Sequence, residues 1–199
     1  MRRFTLTGNV RRHAAGPGVR TENEVSALHD ERVHAAAFKE LFKRYLGRVY
    51  RYLRVRVACE EEAVRLTHVV FLRALEALPQ YQPLRGSFVA WLVSVARRVV
   101  EEPGARRGGV RGVSDALPVL LHPEVRYGRQ FATLPQEAIA RLGLLISRLS
   151  QPERDLLALY FAAELNVLEI AQVLERRPEA VKKQLGSLLL AIKERYYAV

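Results

Sequence analysis

The chain has 199 residues, 49% of them hydrophobic, which is enough apolar material for one large core or two modest ones. Lys and Arg number 32 against 21 Asp and Glu, and the net charge of +11 with a pI near 10.3 favours a polyanionic partner, either nucleic acid or an anionic membrane surface. The single Cys59 excludes an internal disulfide, and His13, His29, His34, His68 and His122 have no second cysteine with which to complete a zinc cluster, so no metal site and no cofactor are expected. No apolar run approaches the roughly 18 residues of a membrane span. The basic start (Arg2, Arg3, Arg11, Arg12) is not followed by an apolar signal core, so a cytoplasmic protein without membrane insertion is expected.

Residues 1–30 mix Gly8, Gly16, Pro17 and Gly18 with polar residues and show no sustained period, which reads as a mobile tail. From Phe38 the pattern turns helical: Phe38, Leu41, Phe42, Tyr45, Val49, Tyr52 and Leu53 fall on one stripe, with Arg44, Arg48, Arg51 and Arg54 on the far side. Glu60, Glu61 and Glu62 suit the positive end of a second helix, whose stripe is Ala63, Leu66, Val70, Phe71, Ala74, Leu75 and Leu78. Cys59 then sits at a helix end as a reduced thiol. Pro79 closes this helix, and PQYQPLRGS (79–87) reads as a loop. A third helix turns Phe88, Trp91, Leu92, Val95 and Val99 inward, with Trp91 a core anchor on the apolar stripe, and Pro103-Gly104 ends it.

Residues 103–134 hold three Pro and five Gly with little periodicity, the composition of a flexible linker, and carry one apolar patch from Leu117 to Leu121. A second helical body covers 135–199. Ile139, Leu142, Leu145, Ile146 and Leu149 form one amphipathic stripe, and Pro152 opens a helix through Leu156, Leu157, Tyr160 and Phe161. Asn166 followed three residues later by Glu169 predicts a capping box opening a short helix from Val167 to about Leu174. After a brief polar break, Pro178 opens a last helix with Val181, Leu185, Leu188, Leu189 and Ile192 inward. The whole chain reads as all-α, without a strand and without an internal repeat of fixed period.

A short helix, a tight polar turn and a long helix are the pattern of a helix-turn-helix, whose second helix enters the major groove by its N-terminal half. Here Glu179, Lys182, Lys183, Gln184 and Ser187 are the candidate DNA-contacting side chains, since Lys and Gln suit phosphate oxygens and base edges. A solvated helix face is the alternative for the same residues.

Two separated segments carry a resemblance to a known family. FKELFKRYLGRVYRYLRVRV, EEEAVRLTHVVFLRALEALPQY and GSFVAWLVSVARR resemble the second conserved region of the extracytoplasmic-function (ECF) group of bacterial RNA polymerase sigma factors. ISRLSQPERDLLALYFAAELNVLEIAQVLERRPEAVKKQL resembles their fourth region. Both stand in the family's order, with Trp91 inside F-x-x-W-L-x-x-x-A-R. The resemblance implies two small helical domains, a region 2-like bundle over 31–102 and a region 4-like helix-turn-helix over 135–199. It implies a sigma factor that directs core RNA polymerase to promoters. The first domain would bind the beta-prime clamp helices, read the minus-ten element and hold melted strand; the second would read the minus-thirty-five element and touch the beta flap. It implies an anti-sigma factor as a further partner. Tyr81, Gln82, Arg85 and Ser87 match the family's base-capturing loop, with Arg97 and Arg98 on the adjoining helix placed to take phosphates. Arg65, Leu66, His68, Val69 and Phe71 match the polymerase-binding positions.

The chain departs from that family at particular places. Where the second helix usually reads E-D-L-x-Q-E-x-F, this chain has Arg65 and His68 in place of an acid and a Gln, and an inverted charge there alters partner choice. In the helix-turn-helix, Glu175 replaces the usual turn Gly, Arg177 the usual Ser cap, and Gln184, Gly186 and Ser187 stand where basic or His residues are common. Residues 38–102 carry net +5 and residues 135–199 only +1, so the positive field is weighted away from the helix-turn-helix. These departures motivate a second reading, a sigma-like adaptor or decoy that binds an anti-sigma factor or a divergent polymerase without ordinary initiation. An ordinary helix-turn-helix regulator would leave the first domain unexplained. With no glycine-rich phosphate loop, metal cluster or nucleophile motif, no catalytic residues and no enzymatic activity are expected.

Overall fold

The computed structural model describes residues 31–57, 59–82, 86–102 and 136–198. The expected tail (1–30), the linker with its Leu117–Leu121 patch, and Arg85 lie outside the described residues, as does the side chain of Ile139. All elements among the described residues are helical.

The first group is three helices, α1 (Glu31–Arg54), α2 (Glu60–Ala77) and α3 (Phe88–Glu101). Leu41, Tyr45, Val49, Tyr52 and Leu53 of α1 are buried, as their spacing predicts. Phe38 and Phe42 meet the edge of Phe71 on α2, with ring centroids 6.4 and 4.5 Å away. In α2 the acidic first turn stands in for a side-chain cap, since Cys59 makes no capping hydrogen bond. Leu75, expected inward, is instead 45% exposed. A short 3-10 turn, Leu78–Gln80, leaves α2 with Pro79 near its start. Ser87 then caps α3 by accepting from the Ala90 N–H at 3.3 Å.

The second group is α4 (Gln136–Ser147), α5 (Gln151–Leu157), α6 (Val167–Leu174) and α7 (Pro178–Tyr197). Glu153 holds the start of α5, its carboxylate accepting from the Ser150 N–H at 2.8 Å and from the Ser150 hydroxyl at 2.6 Å. The end of α5 widens into a π-helical turn over Ala158–Ala162. The box predicted at Asn166 is present: Asn166 accepts from the Glu169 N–H at 3.0 Å, and Glu169 accepts from the Asn166 N–H at 2.9 Å. Helix α7 buries Val181, Leu185 and Leu188 against α6 and α5, while Leu189 and Ile192 are partly buried.

The two groups are packed on each other. Helix α3 lies against α6, α1 lies against the π-helical turn, and the buried residues of both groups form one contiguous cluster. The physical reason is visible in α3, where Val89, Ala90, Val93 and Val100 are buried in addition to Phe88, Leu92 and Val99. A helix apolar around most of its circumference needs cover on more than one side. Helices α1 and α2 cover one side, and α6 covers another.

Candidate nucleic-acid interface

On α7, Glu179, Lys182, Lys183 and Ser187 are exposed along the outward face, opposite the buried Val181, Leu185 and Leu188. Gln184 is half-buried and accepts from Arg176 of the preceding turn at 2.6 Å, so its amide is oriented before any ligand arrives. The turn between α6 and α7 depends on Glu175, which adopts a left-handed conformation (φ 53, ψ 44) where glycine is the unstrained choice. Its backbone still closes the helix end, with the Arg176 N–H bonded to the Ala171 carbonyl at 2.9 Å.

On the loop side the residues differ in exposure and partners. Tyr81 is buried among Phe88 and Trp91, with ring centroids 5.4 and 5.1 Å away, and its hydroxyl donates to the Gly86 carbonyl at 3.0 Å. Trp91 is half-buried in the same cluster, 5.3 Å from Phe88, which agrees with its reading as an anchor. Gln82 and Arg98 are exposed. Ser87 donates to Glu169 on α6 at 2.9 Å, and Gly86, at φ +142, lies so close to Gln172 that a Cβ would collide with that side chain. Arg97 donates through Nε to Asp155 at 3.2 Å and pairs with Glu101 at 3.2 Å. Burial opposes the charge on Arg97, but Asp155 and Glu101 outweigh it and hold its pKa above the ordinary arginine value.

On α2 the five matched polymerase-binding positions divide. Leu66 and Phe71 lie in the core and present almost no surface. Arg65 and His68 are exposed and Val69 is half-buried, and Val64 (42% exposed), Leu72 (61%) and Leu75 are exposed on the same helix, as are Glu60, Glu61 and Glu76. Leu72 and Val64 were not singled out from sequence; their signal is position, since they fall opposite Leu66, Val70 and Ala74 on the helical wheel.

The largest charged cluster lies where sequence reasoning placed none. Asp155 of α5, only 6% exposed, accepts from the Tyr52 hydroxyl at 3.1 Å, pairs with Arg56 at 3.0 Å and accepts from Arg97. Burial first, and then the charge of Asp155, pushes the Tyr52 phenol pKa far up, so Tyr52 is fixed as a hydrogen-bond donor. Arg56, 8% exposed, also reaches over the Tyr52 ring at 5.9 Å. Alongside, Arg48 Nε donates to the Ala163 carbonyl at 2.7 Å, and a second nitrogen of Arg48 donates to the Glu164 carbonyl. Arg51 Nε donates to the Ala162 carbonyl at 3.2 Å, and its Nη2 pairs with the Glu164 carboxylate at 2.5 Å. Arg48 and Arg51, on the far side of the α1 stripe, are therefore half-buried contacts between the groups. No metal-binding group of three or more His, Cys, Asp or Glu occurs among the described residues. Among them, too, no helix is long and apolar enough to cross a membrane.

The described residues thus hold a three-helix group followed by a helix-turn-helix whose second helix exposes a lysine pair. Residues 41–102 match the family model for sigma-70 region 2. Over 148 residues the chain is 30% identical to the ECF RNA polymerase sigma factor BldN of Streptomyces coelicolor, covering 74% of this chain and 56% of that relative. The chain thus spans little more than half the length of that curated relative. Its fold is shared with CnrH, solved in complex with the cytosolic domain of CnrY, at a TM-score of 0.57 and 18% identity, covering 88% of this chain and 93% of that one. Residues 41–102 are thus similar to sigma-70 region 2, and the chain is similar to an ECF sigma factor and shares the fold of CnrH.

Proposed function

We propose that this chain is a sigma factor that directs RNA polymerase to promoters and aids their melting. The observation that carries the reading is the sigma-70 region 2 match over residues 41–102, followed in the same chain by a helix-turn-helix with outward Lys182 and Lys183. In this reading residues 31–102 and 135–199 work as two domains. Glu179, Lys182, Lys183, Gln184 and Ser187 approach the minus-thirty-five element, where Lys contributes phosphate contacts and Gln184 can reach a base edge. Tyr81, Gln82, Arg85, Ser87, Arg97 and Arg98 serve the minus-ten element and the melted strand, since capturing an unstacked base shifts the duplex toward open. The exposed face of α2 around Arg65 and His68 docks on the beta-prime clamp helices, and the second domain touches the beta flap. The protein acts by binding, without catalysis of its own. CnrH is solved with the cytosolic domain of CnrY, and an anti-sigma partner is proposed here by the same likeness.

In vitro transcription with the cognate core enzyme on its own promoter tests this. Added chain should produce promoter-specific transcript, and core that retains no chain at low salt overturns the reading. One observation favours a second reading, an adaptor or decoy: exposed Arg65 and His68 stand among exposed Val64, Leu72 and Leu75, with Glu61 and Glu76 also exposed, a face of mixed charge and apolar groups suited to a partner other than an ordinary clamp. Arg65→Asp with His68→Gln should strengthen retention by a conventional core enzyme; an unchanged result removes this face as the determinant.

A further inference from the structure

The turn between α6 and α7 brings two long polar side chains together beside the outward face of α7. Glu175, left-handed at φ 53, lets the Arg176 N–H close α6 on the Ala171 carbonyl at 2.9 Å. Arg177 then starts α7, its carbonyl accepting from the Ala180 and Val181 N–H groups at 3.1 and 3.2 Å. The backbone on both sides of Arg176 is thus held. From there Arg176 Nη1 donates to Gln184 Oε1, two turns into α7, at 2.6 Å. Arginine carries donors only, so it is the amide oxygen of Gln184, and not the nitrogen, that faces it. The bond is charge-assisted and short. On the exposed side of α7 the residues a turn before and after Gln184 are Ala180 and Ser187, both small, so neither reaches past it toward a ligand.

A glutamine with a free amide suits adenine, accepting from N6–H with its oxygen while donating to N7 with its nitrogen. In this chain a guanidinium already sits on that oxygen. What the pair has left to offer is donors, the Gln184 NH2 and the remaining N–H groups of Arg176. Guanine presents two acceptors, O6 and N7, on its major-groove edge, whereas the adenine N6 and cytosine N4 amino groups bring a donor against donors. We propose that Arg176 and Gln184 read a guanine as one unit, and that Arg176 sets this choice by occupying the Gln184 carbonyl. Arg176 is then a specificity determinant that lies outside α7 and was not singled out by helical spacing. The inference rests on the promoter-recognition reading, in which α7 meets the minus-thirty-five element.

The test joins the full chain to its core RNA polymerase, selects bound sequences from duplex DNA randomised across the minus-thirty-five element, and sequences them. The unaltered chain should enrich guanine at the position that the pair reads. Arg176→Ala frees the carbonyl and should move that position toward adenine, changing the guanine-to-adenine ratio by about tenfold, the size of one bidentate contact. Arg176→Met, which keeps the stem without a donor, should do the same, and Arg176→Lys, which restores a donor, should keep guanine ahead of adenine. Adding Gln184→Ala to Arg176→Ala should abolish the adenine preference at the same position. Arg176 is exposed, and helical circular dichroism with denaturation midpoints checks that each variant is folded. A clasp that only shapes the turn gives an even loss of affinity with the base profile unchanged, and that result overturns the proposal. So does adenine at the position in the unaltered chain, or a change at different positions for Arg176→Ala and Gln184→Ala. A holoenzyme that selects no sequence at all overturns the promoter reading, and the inference falls with it. A selected element that Arg176→Ala leaves unmoved overturns the inference alone.

Discussion

Asp155→Ala removes the one carboxylate that three side chains of the first group share. The carboxylate is 6% exposed and its Arg56 partner 8%, so the alanine variant leaves a buried guanidinium without a counter-charge. Breaking a buried pair in this way costs about 3–5 kcal/mol. The Tyr52 hydroxyl also loses its acceptor, whereas Arg97, one-third exposed at its side chain, can turn to water and to Glu101. A loss of about 4 kcal/mol is therefore expected, a drop in melting temperature of roughly 8–16 °C for a chain of this size. Urea denaturation followed by circular dichroism measures it, with coincident tryptophan fluorescence from Trp91 checking that both groups unfold together. Replacing the pair with Asp155→Leu and Arg56→Met should recover most of the loss, because matched apolar groups carry no desolvation penalty. A loss under about 1 kcal/mol for Asp155→Ala refutes the reasoning, because it means the carboxylate is hydrated and the groups are not docked.

Other consequences are smaller and independent. Glu175→Gly relieves a left-handed non-glycine residue and should stabilise the chain by about 0.5–1 kcal/mol after the greater unfolded-state freedom of glycine is subtracted, read as a rise in denaturation midpoint. Lys182→Ala with Lys183→Ala should weaken promoter binding and reduce the slope of log affinity against log salt by about 2, as filter binding over a salt series would show. An unchanged slope would place the phosphate contacts elsewhere. The Ser150 hydroxyl, and then its backbone N–H, hold the Glu153 carboxyl below the ordinary glutamate value of 4.5. A depressed folded pKa means its stabilisation is present above that value and is lost as pH falls through the folded pKa. The stability difference between the wild type and Glu153→Gln should thus shrink at acid pH, and a difference that grows there would contradict the assignment.

The sequence by itself determined the helices, because their signals are local. Apolar spacing on α1 and α2, Pro152 and Pro178 in first turns, and the Asn166–Glu169 box each act within a turn or two of chain, and each is found in place. It also determined the family likeness, carried by ordered motifs. On α3 the sequence was read as one inward stripe through Phe88, Leu92 and Val99, whereas Val89, Ala90, Val93 and Val100 are buried as well. Only the tertiary structure decided that α6 is the cover, that Leu75 faces solvent, and that Arg48, Arg51, Arg56 and Arg97 meet Asp155 and Glu164. Tyr52 and Asp155 stand 103 residues apart, and no periodicity reports which distant carboxylate an arginine will find. That pairing is set by the docking of whole helices, which burial of apolar surface drives and opposite charge orients.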